Sequence, residues 1–341
     1  MAFTNTFHQF LLFAILLCIG LSSFQSSAIS HEPSMVKRHE EWMVQHRRTY
    51  KDNVEKERRF QIFQKNVNLI EAHNKKNKSY SLSVNQFADL TDEEFEKMYA
   101  SAKVPESRHS NSQRTPFKYE GYTSVPASIN WVTMGAVTPI RNQGTCGSCW
   151  AFAAIATVES LTWIKTGKSY DLSEQQIVDC DRYGKDRGCN GGYADGAYNW
   201  IINNRGVTTE ASYPYVGYQQ YYCYRAQSAV TIKGYQFVPN NSERAMQQAV
   251  ANQPIAVYVE SKGYNFKYYS GGLFTGQCGT ATDHVVAVVG YGTTTDGYPY
   301  WLIKNSWGTG WGENGYMRML RNVNDPRGLC GIALYPTYPT N

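Results

Sequence analysis

Residues 146–150 read Cys-Gly-Ser-Cys-Trp and place two sulfur atoms three positions apart in the chain. Cysteines at this spacing serve zinc coordination, dithiol redox exchange, structural disulfides or nucleophilic catalysis. The motif follows a glycine-containing stretch and leads directly into an apolar, alanine-rich segment. The choice among these chemistries depends on the other cysteines, on the histidines and on the elements around the motif.

The sequence lacks the additional residues that a zinc site or a redox dithiol would need. No second Cys-x-x-Cys and no His-x-x-x-His follows to complete a four-ligand zinc site. A thioredoxin-type dithiol would need a preceding strand in the βαβ pattern of a cytosolic protein, whereas a glycine-rich stretch precedes this motif. Structural disulfides remain an alternative, because most cysteines of exported proteins are paired.

The cysteine count indicates one unpaired thiol. Of eight cysteines, Cys18 lies in a predicted export signal, and the seven that remain cannot all pair with one another. Cys149 is the better candidate nucleophile, because it lies at the start of a predicted helix, where the helix dipole stabilises a thiolate and lowers the thiol pKa. By composition alone, a structural role for both cysteines of the motif stays equally open.

A nucleophilic thiolate needs an imidazole that donates a proton to the leaving group. Of the seven histidines, only His284 follows residue 124. Asn305, within Lys-Asn-Ser-Trp-Gly, is positioned to orient the ring while Trp307 shields the contact, although an Asn in this context is also typical of a turn. Gln143 is a candidate amide donor to an oxyanion, together with the backbone N–H of Cys149.

The elements that must position these residues change type along the chain. Residues 149–164 have helical spacing and no breaker before Gly167, which predicts the helix that starts at the second cysteine. Four later segments, at 255–261, 284–292, 300–308 and 315–320, are short, β-branched or aromatic and bounded by glycines, which predicts strands. A helix-rich half followed by a β-rich half predicts an α+β fold with its active site in the cleft between the halves.

Bulk composition indicates a large globular chain. Its 341 residues, 42% hydrophobic and 14% aromatic, suit two or so domains. The formal charge of +5 is spread without a long basic run, which argues against nucleic-acid binding. Residues 10–21 are apolar, too short to cross a bilayer and followed by small residues. This pattern predicts an export signal over residues 1–28 and no membrane anchor.

Residues 29–124 are strongly charged and contain no cysteine. Six of them, spaced three or four apart, predict one face of a long helix: Glu55, Arg59, Phe63, Asn66, Ile70 and Asn74. Glu55 and Arg59 have the i,i+4 spacing of an ion pair, and Thr91 with Glu94 predicts a capping box that opens a second helix. Residues 101–119 are polar and without periodicity, which predicts a linker and a proteolytic site.

Together these residues resemble the papain-like cysteine proteases, whose signature Cys-Gly-[Ser/Ala]-Cys-[Trp/Tyr] is matched at residues 146–150. The resemblance continues through LSEQQIVDC, CNGG, DHVVAVVGYG, IKNSWGTGWGENGY and CGIALYPTYP, and so covers almost all of residues 125–341. The charged helix face matches the propeptide pattern ExxxRxxxFxxNxxxIxxxN. The following motif, GxNxFxD, is present as Ser83, Asn85, Phe87 and Asp89, with serine in place of glycine. Among plant enzymes, AFAAIATVES and VPASI look closest to the bromelain and ananain group.

The resemblance implies a papain-like two-lobed α+β fold, with a helical left lobe, a β-barrel-like right lobe and the active-site cleft between them. It implies a signal peptide at 1–28, an inhibitory propeptide at 29–124 and a peptidase domain at 125–341. Cys149 would be the nucleophile, His284 its acid/base partner, Asn305 the orienting amide and Gln143 an oxyanion-hole donor. No metal or organic cofactor is needed for this chemistry.

The resemblance also implies further site residues. Disulfides would pair Cys146 with Cys189, Cys180 with Cys223, and Cys278 with Cys330. The substrate-binding positions would be Gly191, Gly192, Tyr193, Ala194, Tyr258, Thr282, Asp283, Val285, Trp307 and Tyr335. Two sequons, at Asn77 and Asn240, are candidate glycosylation sites.

The expected partners are protein and peptide substrates, the chain's own propeptide as an intramolecular inhibitor, and cystatin-type inhibitors. We expect a monomer of the secretory pathway, extracellular or in a vacuolar, lysosome-like compartment. Tyr258 and Tyr335 are bulkier than the residues usual in the second pocket, which predicts a shallower, more polar pocket that prefers small or polar side chains over Phe or Leu. The competing interpretation is a catalytically inactive homologue that acts as a binding or storage protein.

Acid is expected to weaken docking of the propeptide. Many of its predicted contacts involve carboxylates, such as those of Asp89, Glu93 and Glu94, which lose their charge at low pH. We therefore expect the precursor to mature faster in acid than at neutral pH.

Overall fold

The computed structural model describes residues 34–76, 78–100, 102, 116–182 and 186–341. The chain divides into two compact units, residues 1–49 and 50–341. In the described part of the first unit, helix α1 (Met35–Gln45) follows Ser34, whose side chain accepts a hydrogen bond from the N–H of Lys37 at 3.3 Å, and it buries His39 and Trp42. The predicted export signal lies outside the described residues, and none of the described helices is long and apolar enough to cross a membrane.

The second unit begins with the long helix predicted from the charged region, α2 (Asn53–Asn74). The side chains of Phe63, Asn66 and Ile70 are buried, so the predicted face is the packed face. The expected ion pair is present, with Arg59 Nε 2.7 Å from Glu55 Oε1. Periodicity alone was therefore sufficient to place this helix and its buried side.

Strand β1 (Tyr80–Leu82) and helix α3 (Asp92–Tyr99) follow α2. The predicted capping box is confirmed: the Thr91 hydroxyl accepts from the N–H of Glu94 at 3.2 Å, and the Glu94 carboxylate accepts from the N–H of Thr91 at 3.0 Å. Strand β1 pairs antiparallel with strand β5 (Tyr269–Phe274). The charged region thus contributes an edge strand to the sheet of the β-rich half.

Three helices, α4 (Cys149–Thr166), α5 (Glu174–Cys180) and α6 (Ala194–Asn203), build the helical half. All fourteen residues of α4 from Cys149 to Thr162 are buried, so this helix is enclosed on every side. It ends at Gly167, whose φ of 70° is the left-handed conformation that closes a helix without a Cβ clash. The predicted helix and its stop are therefore confirmed.

The β-rich half holds the other elements, which are β2 (Ile129–Asn130), β3 (Gly234–Phe237), α7 (Glu243–Val250), β4 (Ile255–Val259), α8 (Tyr264–Lys267), β6 (His284–Thr293), β7 (Pro299–Lys304), β8 (Tyr316–Leu320) and β9 (Thr337–Thr340). Short 3₁₀ turns span Gly188–Asn190 and Leu329–Gly331. The four predicted strands are confirmed as β4, β6, β7 and β8. Across the described residues the sheet order is β1-β5-β8-β7-β6-β4-β9-β3, with β2 on β6. This sheet is open, so the expected barrel-like lobe is not a closed barrel.

Strand β6 links the two halves of the fold. Nine of its ten residues are buried, because β4 and β7 flank it and α4 packs against it. An apolar run on both faces of a strand is what such coverage requires. The start of α4 and the start of β6, which carry Cys149 and His284, are thereby brought together.

Candidate active site

Cys149 is the free cysteine among the described residues and is fully buried. It is the first residue of α4, as the sequence predicted. The neighbouring Cys146 is bonded to Cys189, and the other two expected disulfides, Cys180–Cys223 and Cys278–Cys330, are also present. The structural alternative for both cysteines of the motif is therefore wrong: one is bridged and the other is not.

His284 opens β6 and is held by two neighbours. Its Nε2 lies 2.8 Å from Oδ1 of Asn305, and its ring stacks on that of Trp307 with 4.5 Å between centroids. The same Asn305 oxygen accepts from the N–H of Ser306 at 2.8 Å, which fixes the amide. The Nδ1 atom of His284 has no hydrogen-bond partner among the described residues. The ring is thus oriented through Nε2, and Nδ1 is left for proton transfer.

The sequence-based expectation of a lowered thiol pKa is wrong for this closed form of the protein. Burial raises the pKa of Cys149 to about 12, and the negative charge of Asp283 acts in the same direction. The backbone amides of Val285 and Trp150 oppose this shift, which places the sulfur beside the first residues of β6. Burial also lowers the pKa of His284 to about 4, against the opposing effect of the hydrogen bond that its Nε2 donates to Asn305. Both groups are therefore neutral between these values, because desolvation outweighs the helix dipole.

Gln143 is completely buried and its side chain is fixed at both ends. Its Nε2 donates to the carbonyl of Cys146 at 3.0 Å, and its Oε1 accepts from the hydroxyl of Ser306 at 2.7 Å. A primary amide carries two N–H donors, so one remains for a ligand. This geometry suits an oxyanion donor next to Cys149.

Several of the predicted substrate-binding positions are buried and packed against one another. Tyr258 is 1% exposed and points inward, where its hydroxyl accepts from the N–H of Ala194 at 3.1 Å. The half-buried Tyr335 meets it edge to face, with 5.9 Å between ring centroids. Tyr193, Thr282 and Val285 are buried in the same region of the fold. Tyr258 therefore points into the protein, and the partly exposed Tyr335 packs against it.

The backbone of Gly191 and Gly192 is supported by a residue that sequence reasoning missed. Asp186 is buried, and its Oδ1 accepts from the N–H of Tyr193 at 2.6 Å. A Cβ at Gly192 would lie 2.6 Å from that oxygen, so only glycine leaves room for the carboxylate. Burial and the adjacent Asp181 raise the pKa of Asp186 to about 8. The only signal in the sequence was an acidic residue shortly before a pair of glycines.

The charged N-terminal region covers this site. The N–H of Ala102 donates to the carbonyl of Asp283 at 2.8 Å, which is the carbonyl expected to contact substrate. Phe87 and Phe95 pack edge to face on Trp307, at 5.4 and 5.3 Å between centroids, and Gln86 donates to the Trp307 carbonyl at 2.8 Å. Substrate cannot reach the site while these contacts hold.

We call the segment from Ser83 to Ala102 the cover. The motif that contains Ser83 anchors it to the β-rich half. Ser83 does not have a positive φ, and its N–H donates to the carbonyl of Tyr268 at 2.9 Å, so serine serves in place of the expected glycine. Asn85 donates to the carbonyl of Lys267 at 2.9 Å. Lys267, also missed from sequence, is buried and donates to the carbonyl of Leu90 at 3.1 Å. Its place in the short helix α8 gave no sign that a lysine would be enclosed.

Other predictions fall outside the site. Asn240 is exposed and lies two residues before Ser242, the N-cap of α7. Asn77 lies outside the described residues. Most of the predicted linker at 101–119 is likewise outside them, but its last residues are not a linker: Tyr119 is 4% exposed within the core. Among the described residues, no group of three or more His, Cys, Asp or Glu side chains is arranged to hold a metal ion.

Comparison with known proteins gives a consistent result. Residues 125–340 match the papain family cysteine protease domain, and residues 39–95 match the cathepsin propeptide inhibitor domain. The senescence-specific cysteine protease SAG39 of Oryza sativa subsp. japonica is 48% identical over 336 residues, covering 97% of this chain and 98% of that protein. Fruit bromelain of Ananas comosus is 46% identical over 339 residues, covering 97% and 94%. The structure of a recombinant stem bromelain precursor superposes with a TM-score of 0.82 at 46% identity, covering 90% of this chain and 99% of that one.

Proposed function

This chain belongs to the papain family of cysteine proteases and is a protease zymogen, in which we propose that Cys149, His284, Asn305 and Gln143 carry the reaction. The single observation that supports this assignment most is the arrangement around His284. Asn305 holds Nε2 at 2.8 Å and leaves Nδ1 without a partner among the described residues, and the backbone amide of the next residue, Val285, interacts with the free thiol at the start of α4. The proposed peptidase domain spans residues 125–341 and the proposed propeptide residues 29–124.

In the proposed reaction, His284 takes the proton of the Cys149 thiol and the sulfur attacks the carbonyl carbon of the scissile peptide. The carbonyl oxygen becomes an oxyanion that the free N–H of Gln143 and the N–H of Cys149 stabilise. The C–N bond breaks as the imidazolium gives its proton to the departing amine, which leaves a thioester. Water then attacks the thioester, His284 takes its proton, and the acid product and free thiol are regenerated.

The assignment is tested by variants that are matured in trans by wild-type enzyme, so that self-processing is not required. Cys149→Ala is expected to abolish hydrolysis of a fluorogenic peptide. Asn305→Ala is expected to lower kcat by about 10- to 10³-fold with little change in KM, because it orients the imidazole without binding substrate. Asn199→Ala, at an exposed position of α6, is the matched control and should equal wild type. Full activity of Asn305→Ala would contradict the assigned role.

The competing function, an inactive binding or storage homologue, makes the opposite prediction for the thiol. A peptidyl epoxide is expected to alkylate Cys149 of the matured wild-type protein in one-to-one stoichiometry. A matured protein that neither reacts with the epoxide nor cleaves any peptide of a diverse panel would show that the chain is not a working protease.

We propose that the second pocket prefers small or polar side chains over Phe and Leu. The Tyr258 ring fills the floor, since its hydroxyl is bonded to the N–H of Ala194, and Tyr335 narrows the entrance. Tyr335→Ala should therefore shift preference toward Phe, whereas Tyr298→Ala, an exposed tyrosine elsewhere, should not. Fastest turnover of the Phe substrate by the wild-type enzyme would contradict this preference.

The remaining proposals concern the cellular context. The chain's own propeptide domain is its intramolecular inhibitor, and proteins are its substrates. We propose that cystatin-type inhibitors also bind the open cleft and that the mature enzyme is a monomer. We further propose entry into the secretory pathway through residues 1–28, an extracellular or vacuolar destination, and glycosylation at Asn77 and at the exposed Asn240.

A further inference from the structure

Residues 117–122, here called the arm, precede the proposed mature N-terminus at Val125 but are packed into the β-rich half. Tyr119 is 4% exposed, and its hydroxyl donates to Oε1 of Gln253 at 2.8 Å. Its ring lies 5.4 Å from that of Tyr338, and the ring of Phe117 lies 6.4 Å from the same residue. Tyr119 is therefore buried like a core residue and anchors an otherwise largely exposed arm, although it lies on the propeptide side of the expected cleavage point.

The surface that binds the arm is organised by its own hydrogen bonds. Gln253 donates to the carbonyl of Pro339 at 3.0 Å, and the Tyr338 hydroxyl donates to Oε1 of Gln236 at 2.6 Å. The same Gln236 oxygen accepts from the backbone N–H of Lys118 at 3.3 Å. The side-chain amides of Gln236 and Gln253 and the ring of Tyr338 thus form a site that binds both the backbone of the arm and the side chain of Tyr119.

The arm is folded into turns and is not extended. The N–H of Glu120 donates to the carbonyl of Phe117 at 3.0 Å, and the N–H of Tyr122 donates to that of Tyr119 at 3.1 Å. Gln248 Nε2 donates to the carbonyl of Tyr122 at 2.9 Å. These bonds use the backbone groups that would pair with a protease.

The chain just after the expected cleavage point is also hydrogen-bonded to the β-rich half. The hydroxyl of Tyr291 donates to the carbonyl of Pro126 at 2.8 Å. A protease of this kind binds several residues on each side of the scissile bond as an extended strand. The bond before Val125 can therefore be cut only after the arm unfolds locally from its surface.

None of these contacts involves the active-site cover. The cover contacts Asp283 and Trp307 through Ala102, Phe87 and Phe95, whereas the arm contacts residues of α7, β3, β9 and the turn after α7. Since these contacts share no residue, release of the cover does not by itself require release of the arm. The first opens the active site, and the second does not.

We propose that residues 117–122 occupy a dedicated docking surface formed by Gln236, Gln248, Gln253 and Tyr338, and that undocking of Tyr119 limits the final trimming to Val125. This proposal rests on the proposed protease function and mature boundary. Maturation then passes through an intermediate that begins before Phe117, is catalytically active and keeps the arm in place. Cleavage before Val125, which removes the arm, follows only in a later and slower step.

The experiment uses the full-length precursor carrying Cys149→Ala, so that all cleavage is done by added wild-type mature enzyme in acid. Intact mass is followed with time in precursors with the wild-type arm, Tyr119→Ala, Tyr119→Phe and Glu120→Ala. Glu120 is an exposed residue of the same arm and serves as the matched control. The added enzyme is assayed in parallel on a fluorogenic peptide.

The wild-type arm should give an intermediate that begins before Phe117 and accumulates or persists. Tyr119→Ala should speed its conversion to the Val125 product by at least about tenfold, because truncation of a buried aromatic side chain makes local unfolding easier. Tyr119→Phe loses only the bond to Gln253 and should give a few-fold increase. Glu120→Ala should match the wild-type arm.

The proposal is overturned if the wild-type arm converts directly to the Val125 product, or if both Tyr119 variants convert at the wild-type rate. It is also overturned if no variant yields an N-terminus at or near Val125. Should Tyr119→Ala fail to fold, Tyr119→Phe decides. Failure of the protease function would appear separately, as absence of cleavage of the fluorogenic peptide by the added enzyme.

Discussion

We expect the Cys149 thiol to be chemically different in the zymogen and in an open enzyme. Its position at the start of α4 favours the thiolate, but full burial raises its pKa to about 12 and lowers that of His284 to about 4. A neutral thiol is a poor nucleophile, since the thiolate is the reactive species. In the closed zymogen, burial therefore disfavours the charged forms of the proposed catalytic pair, in addition to the contacts by which the propeptide covers the site.

Alkylation of Cys149 by a small electrophile checks this interpretation. At pH 7 we expect the precursor to react with iodoacetamide on the order of a hundredfold or more slowly than the matured enzyme, because the buried thiol is protonated. The rate for the precursor should rise only toward alkaline pH, whereas the matured enzyme should reach a plateau at lower pH. Cys149→Ala controls for other sites. Equal rates for the two forms at pH 7 would rule out a suppressed thiolate.

At the same scale, we expect Asp186 to position the backbone of Gly191 and Gly192, the glycines proposed to bind substrate. Asp186→Ala removes the acceptor of the Tyr193 N–H and should raise KM by about 5- to 10-fold with a smaller change in kcat. Asp186→Asn keeps an acceptor, and it resembles the protonated carboxyl that a pKa of about 8 implies, so it should be near wild type below pH 7. Steady-state kinetics on an extended peptide measures both effects. Asp296→Ala is the exposed control, and an unchanged KM for Asp186→Ala would refute the role.

At the scale of elements, sequence was sufficient wherever a local pattern determines the structure. The buried face of α2, the capping box at Thr91, the start and stop of α4 and the four strands follow from periodicity, caps and glycines. The sequence was insufficient where the environment of a side chain depends on segments that are distant in the chain. The raised pKa of Cys149, the enclosed Lys267 and the docked Tyr119 depend on chain segments that a local pattern does not bring together.

The packing of α2 against α3 depends on a charged cluster. Arg59 contacts the carboxylate of Glu94 at 2.6 Å and that of Glu55 at 2.7 Å, and it also donates to the carbonyl of Asp89 at 2.8 Å. Hydrogen bonds and charge from Arg59 and Arg58, with the N–H of Thr91, lower the pKa of Glu94 despite its partial burial. Such a group stabilises the fold above its ordinary pKa, and the contribution is lost as pH falls through the lowered value.

Removing this charge should loosen the cover at a pH where wild type is stable. Glu94→Gln is expected to speed maturation of the precursor several-fold at near-neutral pH, because the Arg59 guanidinium loses its main acceptor. Glu96→Gln, an exposed neighbour on α3, is the control and should behave as wild type. Maturation is followed by gel and by hydrolysis of a fluorogenic peptide. An unchanged dependence of maturation on pH would show that the cluster does not hold the cover.

At the scale of the whole molecule, the resolved carboxyl pKa shifts of the described residues separate by region. In the proposed propeptide they are lowered, at Glu55, Glu93 and Glu94, through hydrogen bonds and charge. In the proposed peptidase domain, burial raises them at Glu159, Glu174, Asp179, Asp181, Asp186, Glu243 and Asp283. Asp325, fully exposed beside Arg327, is the exception with a lowered value. Acid therefore weakens the propeptide, whereas raised carboxyls bind protons in the folded state and lose stability only as pH rises.

This division predicts selective opening in acid. Hydrogen exchange of the Cys149→Ala precursor, which does not process itself, is compared at pH 7 and near pH 4 after correction for intrinsic rates. Amides of α2 and α3 should lose protection near pH 4, while those of β6 and β7 keep it, because protonation removes the propeptide ion pairs, whereas the buried peptidase carboxyls with raised pKa values bind protons in the folded state. When Glu94→Gln is added to this precursor, the amides of α2 and α3 should begin to lose protection at a higher pH. Simultaneous loss in all four elements would mean that acid unfolds the protein as a whole, and carboxyl titration would then not explain activation.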